Sequence, residues 1–341
     1  MSLSIVYDIA SGTVGGGLME FSSRKEPKIV FTNRQPILFQ KKPDSQKLLS
    51  EMLRSLEKVT EELAKFKEGK IEEVFYVFSS PWVISQTKSF TYKENKEIKI
   101  THSFLNHLLE SQEKEIKFNE DMLIIEHKSL NIKLNGYEVM DPIGKKAHLI
   151  ELPILASAIS RDVFSAIENT VAKFFNFRKS TSHSFTLLSC STINDIFPDE
   201  KEFVVIDING ELTSVGSTTF PFGSNSMIRH ISTVLNNEVN VSESLVKTYL
   251  NHSIGPEMNE KMKIIFSEIQ KRWLGLLSGI TLPKKIFLLV NNDFSNFFAS
   301  AIDVTALDEE KLKNYCILGG KAVNDVVLFI EALALNKCYN K

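Results

Sequence analysis

The sequence predicts an α/β protein made of two similar halves, with a small α+β domain inserted into the first. Three observations lead there. Phe203-Val-Val-Ile-Asp-Ile-Asn-Gly-Glu-Leu-Thr-Ser-Val215 runs four apolar residues into Asp207, turns at Asn209-Gly210 and continues as a second strand, the pattern of a hairpin. About 200 residues earlier, Ser4-Ile-Val-Tyr-Asp8 leads through Ile9-Ala-Ser-Gly-Thr-Val-Gly-Gly-Gly17 into Leu18-Met-Glu-Phe21, the same strand–aspartate–glycine arrangement. Between Trp82 and Leu155, about 70 residues read as strand–helix–strand–strand–strand and interrupt elements of a different pattern.

In chain order, residues 4–40 form a three-stranded meander: 4–9, 17–21 and 28–33, with 35–40 as an extension. Gly12, Gly15, Gly16 and Gly17 allow a tight turn and close approach of backbone to a ligand. A hairpin with a glycine bulge uses them equally well. Over residues 45–68, Leu48, Leu49, Met52, Leu53, Leu56, Val59, Leu63 and Phe66 recur at helical steps, with Ser45 as the cap and Gly69 as the stop. Glu72–Phe78 is the next strand. The insertion then offers strands at Val83–Tyr92 and Ile98–Ile100, and a helix capped by Thr101 that reaches about Ile116. Strands follow at Met122–Glu126, Ser129–Leu134, Tyr137–Met140 and Ala147–Leu155, with a hairpin turn at Asn135-Gly136.

Helix 161–176 returns to the main body. Ser184–Ser189 reads as a strand and Ser191–Phe197 as a helical turn. After the second hairpin come helices at 224–236, 242–251 and 257–277, strand Lys284–Val290, a short helix Phe294–Ala301 and a terminal helix Gly319–Leu335. The expected boundaries are 1–80 with 156–200 for the first lobe, 81–155 for the inserted domain and 201–341 for the second lobe.

Composition narrows the function. The 341 residues suffice for two cores, and 43% hydrophobic with 24% charged residues is ordinary for a globular protein. A net charge of -2, with no basic cluster interleaved with aromatics, gives no case for nucleic acid. Cys190, Cys316 and Cys338 lack metal-ligand spacing and imply a reducing, cytoplasmic setting. Seven histidines show no zinc pattern, and Ser79-Ser80 has no histidine or aspartate arranged beside it for nucleophilic chemistry. No stretch is apolar for the length of a membrane span.

The order of elements, the two aspartate–glycine hairpins and the insertion resemble the actin-like ATPase superfamily. Within it the chain resembles the bacterial cell-division protein FtsA and its relative PilM of type IV pili. Asp8-Ile-Ala-Ser-Gly-Thr-Val-Gly15 is similar to the family's first phosphate loop. Asp207-Ile-Asn-Gly-Glu-Leu-Thr-Ser-Val215 corresponds to its second. Asn135-Gly-Tyr-Glu-Val-Met-Asp-Pro-Ile-Gly144 is similar to a segment of FtsA's inserted domain, and Phe222-Gly-Ser-Asn-Ser-Met-Ile-Arg-His-Ile231 to the helix entry after the second loop. The resemblance implies a duplicated, ribonuclease H-like, two-lobed actin fold whose insertion is of the SHS2 type.

It also implies a site for ATP and Mg²⁺ between the lobes. Asp8 and Asp207 would orient a hydrated Mg²⁺, a hard ion that prefers carboxylate and water oxygens. Ser11, Gly12 and Thr13 would hold one side of the phosphates, and Gly210 and Thr213 the other, through backbone N–H groups that residues without Cβ let come close. Lys247 stands where a family helix offers a lysine to the nucleotide.

The sequence departs from the pattern where Asn209 and Glu211 replace glycines, where Ser214 replaces an aspartate and where Asn291-Asn-Asp-Phe294 replaces an adenosine-binding Gly-Gly pair. Glu243 is one residue off the position of the usual partner of Lys247. The stretch before the strand at 286 is short for the family, which suggests a reduced subdomain. Gly319-Gly320-Lys321 reads as the start of the final helix.

The expectation is therefore an FtsA-like scaffold in cell division or envelope assembly, with weak or lost ATP binding. The alternative is a PilM-like cytoplasmic adaptor; further alternatives are a metabolite kinase and a polymerising ATPase of the same superfamily. Its partners would be division or pilus membrane proteins, or other copies of itself. Phe329–Leu335 reads as domain core rather than as a membrane helix, so contact with the membrane is expected only through a partner.

Overall fold

The computed structural model describes residues 3–22, 25–66, 69–139, 141–290 and 292–338. The chain divides into two compact units, one of Met1–Trp82 with Ala166–Lys341 and one of Val83–Ser165. The first unit opens with β1 (Leu3–Ile9), β2 (Thr13–Glu20), β3 (Lys28–Pro36), α1 (Ser45–Phe66) and β4 (Ile71–Phe78). The second unit holds β5 (Val83–Lys99), α2 (His102–Glu113), β6 (Met122–Ser129), β7 (Ile132–Leu134), β8 (Tyr137–Val139) and β9 (Lys146–Ser160). Helix α3 (Arg161–Ala172) leads to β10 (Lys179–Ser184) and α4 (Phe185–Ile196). Then come β11 (Phe203–Ile208), β12 (Thr213–Val215), β13 (Thr218–Phe220), α5 (Ser224–Leu235), α6 (Val239–Leu250) and α7 (Pro256–Leu277). The chain finishes through β14 (Lys285–Val290), α8 (Asn292–Ala299), β15 (Thr305–Ala306), α9 (Glu309–Leu312), β16 (Ile317–Lys321) and α10 (Val326–Cys338).

The first unit is a duplication. One sheet runs β10-β4-β1-β2-β3-β16 and the other β13-β12-β11-β14-β15. In each, a three-stranded antiparallel meander is extended from its first strand by two parallel strands: β4 and β10 beside β1, and β14 and β15 beside β11. Helix α10 lies in the core that both sheets share. Its Leu328, Phe329, Ile330 and Leu335 are buried in one cluster with Val6 of β1, Val205 of β11 and Phe287 of β14. Each such side chain contributes roughly 2 kcal/mol of apolar burial, so the last helix is a structural joint of the unit.

Several local expectations are corrected. Gly15 and Gly16 lie inside β2 with Gly17, not in the turn before it. A Cβ on Gly16 would come within 2.5 Å of Val59 in α1, so this glycine lets helix and sheet close up. Asp44 rather than Ser45 caps α1, its Oδ1 accepting from the Lys47 N–H at 2.8 Å. Ser184–Ser189 is no strand: Ser184 caps α4 by accepting from the Leu187 N–H. The short apolar run Phe185–Leu188 suits either period, and the cap decides it. Gly319-Gly320 belongs to β16, parallel to β3, and the final helix begins at Val326.

In the second unit β9 is central, with β5 along one side and β6 and β7 along the other. Leu108 of α2 is buried with Ile150, Leu152 and Ile154 of β9, and Phe104 packs against the same cluster. Asn135 and Gly136 both have positive φ (52° and 85°), as their hairpin turn requires. The Asn135 Oδ1 accepts from the N–H groups of His148 and Leu149, tying the turn to β9. Strand β5 is continuous where two pieces were expected, with an irregularity between Lys93 and Ile98. Among the described residues no helix is long and apolar enough to cross a membrane.

Candidate functional site

A cleft of about 900 Å³ opens in the first unit where the two aspartate-bearing strands end. Asp8 and Asp207 lie near the carboxyl ends of β1 and β11, each beside a parallel neighbour, which is where open α/β sheets place their sites. The two hairpin turns meet at its floor. A Cβ built on Gly12 would fall 2.9 Å from the Gly210 Cα, and one built on Gly210 would fall 2.5 Å from the Gly12 Cα. The Glu211 N–H donates to the Ser11 Oγ at 2.9 Å. Ser11, Gly12 and Gly210 are thus brought together, but in contact with one another, and only glycine fits at the two facing positions.

At the head of the cleft sits a residue that the sequence reading missed. Arg34 donates from Nη1 to the Asp8 Oδ2 at 2.6 Å and to the Thr13 Oγ1 at 2.8 Å. Its Nε and Nη2 reach the Asp325 Oδ2 and Oδ1 at 2.7 and 3.0 Å, a two-pronged pair. Strand register explains the reach. Asp8 pairs with Gly15, and Gly15 pairs with Arg34, so the two charges share one face two strands apart. That is roughly 10 Å of sheet, and the guanidinium crosses it over the bare backbone of Gly15. A Cβ there would lie 2.5 Å from the Arg34 Nη2. Asp325 also caps α10, accepting from the Leu328 N–H at 3.1 Å.

The remaining predicted residues are placed as follows. Asp207 lines the cleft; its Oδ2 accepts from the Asn209 Nδ2 at 2.6 Å, and Ser79 hydrogen-bonds the same carboxyl. Burial, and then the charge of Asp8, push Asp207 up to about 7 despite these bonds. Asp8 is likewise raised by burial, against the pull of Arg34. The Thr213 hydroxyl donates to the Phe222 carbonyl at 2.6 Å and is buried away from the cleft. Lys247 lines the cleft and pairs with Glu243 at 3.2 Å, one helical turn before it. Glu211 turns away from the glycine contact: its carboxylate is bound by Arg229 and by the Asn225 Nδ2 at 2.8 Å. Asn291 lies outside the described residues, as do the side chains of Asn292 and Asp293.

The donor set does not suit a divalent cation. The Asp8 Oδ2 and both Asp325 oxygens are taken by Arg34, and the Asp207 Oδ2 by Asn209. The Asp8 Oδ1 is buried without a partner among the described residues, a single oxygen on a carboxylate already paired. A divalent ion about 5 Å from the guanidinium would be repelled by roughly 7 kcal/mol at an effective dielectric of about 20, which cancels its attraction to one carboxylate at that distance. Among the described residues no group of three or more His, Cys, Asp or Glu is arranged to hold a metal.

The repeated sheet order, the paired aspartate hairpins and the inserted unit are those of the actin-like fold, and a solved structure agrees in fold. The chain is similar to the PilM-PilN type IV pilus biogenesis complex at 11% identity and a TM-score of 0.63, over 99% of this chain and 98% of that one. It also matches the ethanolamine utilization protein EutJ of Carboxydothermus hydrogenoformans at 8% identity and 0.47, over 98% of this chain and 89% of that one. A glycerol dehydratase reactivase matches at 8% identity and 0.47, over 99% and 100%. No protein-family model matches the sequence, and no curated protein matches it.

Proposed function

We propose that this protein is a PilM-like scaffold that holds a short segment of a membrane protein on its second unit and does not turn over ATP. The observation that carries this reading is the cleft itself: Asp8 and Asp325 pair with Arg34, and Lys247 with Glu243, on a fold that matches the PilM-PilN structure along nearly the whole of both chains. An ATPase needs those groups free to meet phosphates, a metal and a water.

The second unit offers an apolar row to a partner. Ile84 of β5 and Ile124 of β6 both pair with Ala158 of β9, so the two isoleucines flank a small residue on one face of the sheet. They are 56% and 39% exposed. Apolar side chains set side by side in this way are where a partner's side chains gain burial. The partner would carry the chain to the inner face of the membrane, and the division role drawn from the FtsA resemblance gives way to this one.

The test uses synthetic cytoplasmic segments of inner-membrane proteins encoded beside this one, with fluorescence anisotropy as the readout. Micromolar binding by the full chain that Ile84→Asp and Ile124→Asp abolish supports the reading. Steady ATP hydrolysis lost in Asp8→Asn, with no segment bound, would sink it.

A further inference from the structure

The Arg34 guanidinium has a geometry that an ordinary strand-to-helix ion pair does not need. Holding β3 to the start of α10 requires only Asp325, which Arg34 already meets through two nitrogens. The third nitrogen continues across β2 to Asp8, a residue 2% exposed. That path exists because Gly15 stands between Asp8 and Arg34 in the register and carries no side chain. The Thr13 Oγ1 takes a second bond from the same nitrogen. Three elements and a glycine therefore converge on one planar cation.

We propose that Arg34 is the resident countercharge of the Asp8 side of this cleft, bridging Asp8 and Asp325 and holding the carboxylate that a divalent cation would otherwise use, so that the site is independent of metal. A guanidinium is permanently charged, cannot be chelated and is fixed by its own chain. Its planar fork matches Asp325 on one edge and reaches Asp8 from the other. Any ligand that enters the cleft meets an Asp8 already paired with a cation, and no metal to bridge it. This inference stands apart from the adaptor reading, since a scaffold could keep its metal.

The experiment measures Mn²⁺ binding to the full-length protein by electron paramagnetic resonance, with no nucleotide present. Wild type is expected to show no component of binding that Asp8→Asn removes. Arg34→Met, which leaves Asp8 and Asp325 without their cation, is expected to gain a site binding Mn²⁺ about tenfold or more tightly than wild type, and Asp8→Asn in the same chain should abolish it. Asp8-dependent binding by wild type would overturn the proposal, as would a folded Arg34→Met that gains nothing. Where Arg34→Met does not fold, the melting temperature of wild type decides: equal values in Mg²⁺ and in chelator support the proposal, and a rise in Mg²⁺ lost in Asp8→Asn overturns it.

Discussion

Asp207 holds a proton near neutrality because burial and the charge of Asp8 outweigh its bonds from Asn209 and Ser79. The sign of the effect on stability follows. Between the ordinary carboxylate value and about 7, the native state keeps a proton that the unfolded chain releases, so stability falls as pH rises through that window. Asp207→Asn should flatten the decline in urea midpoint between about pH 4 and about pH 7. Glu331 of α10 acts in the same direction. It is fully buried with no partner for either oxygen among the described residues, and burial holds it well above the usual range as a neutral acid. Glu331→Gln should likewise lose less stability than wild type on the alkaline side. At Gly15 the expected effect is steric. Gly15→Ala places a methyl against the guanidinium and should lower the melting temperature, while Gly15→Ala with Arg34→Met recovers part of the loss. The aspartates and facing glycines were legible as residues; Arg34 was not, because its meaning lies in a register across three strands. The one signal was a charged residue at the break between the expected strand 28–33 and its extension 35–40.

Among the elements, α10 depends on Asp325 twice, as cap and as partner of Arg34. Asp325→Ala removes the cap and leaves a partly buried guanidinium short of a carboxylate, so the expected cost is about 3 kcal/mol in chemical denaturation. Asp44→Ala removes only the cap of α1 and should cost about 1 kcal/mol. A ratio near one between the two would contradict the double role. Long periodic elements such as α1 and α7 could be read from sequence, since their apolar spacing admits one period. Gly319-Gly320 could not: paired glycines before an apolar helix fit a turn as well as an edge strand, and the long-range pairing with β3 settles it. The Asn324-Asp325 pair ahead of Val326 carried the cap signal that would have moved the helix start to its true place.

At the scale of the whole molecule, the duplication was visible as two aspartate hairpins, and the two sheets repeat it over five strands, with β16 added to the first. The chemistry of the cleft was less visible, because the motif residues Ser11, Gly12 and Gly210 come together in contact with one another. Fold and occupancy are separate properties of this chain. The fold follows from hydrophobic period and strand order; the occupancy follows from which charges meet. The measurement that bears most directly on the account is calorimetric titration of the full-length protein with ATP and Mg²⁺, beside Asp8→Asn. The account predicts no magnesium-dependent heat of binding in either protein. Micromolar, magnesium-dependent binding by wild type that disappears in Asp8→Asn would contradict it and return the cleft to the nucleotide.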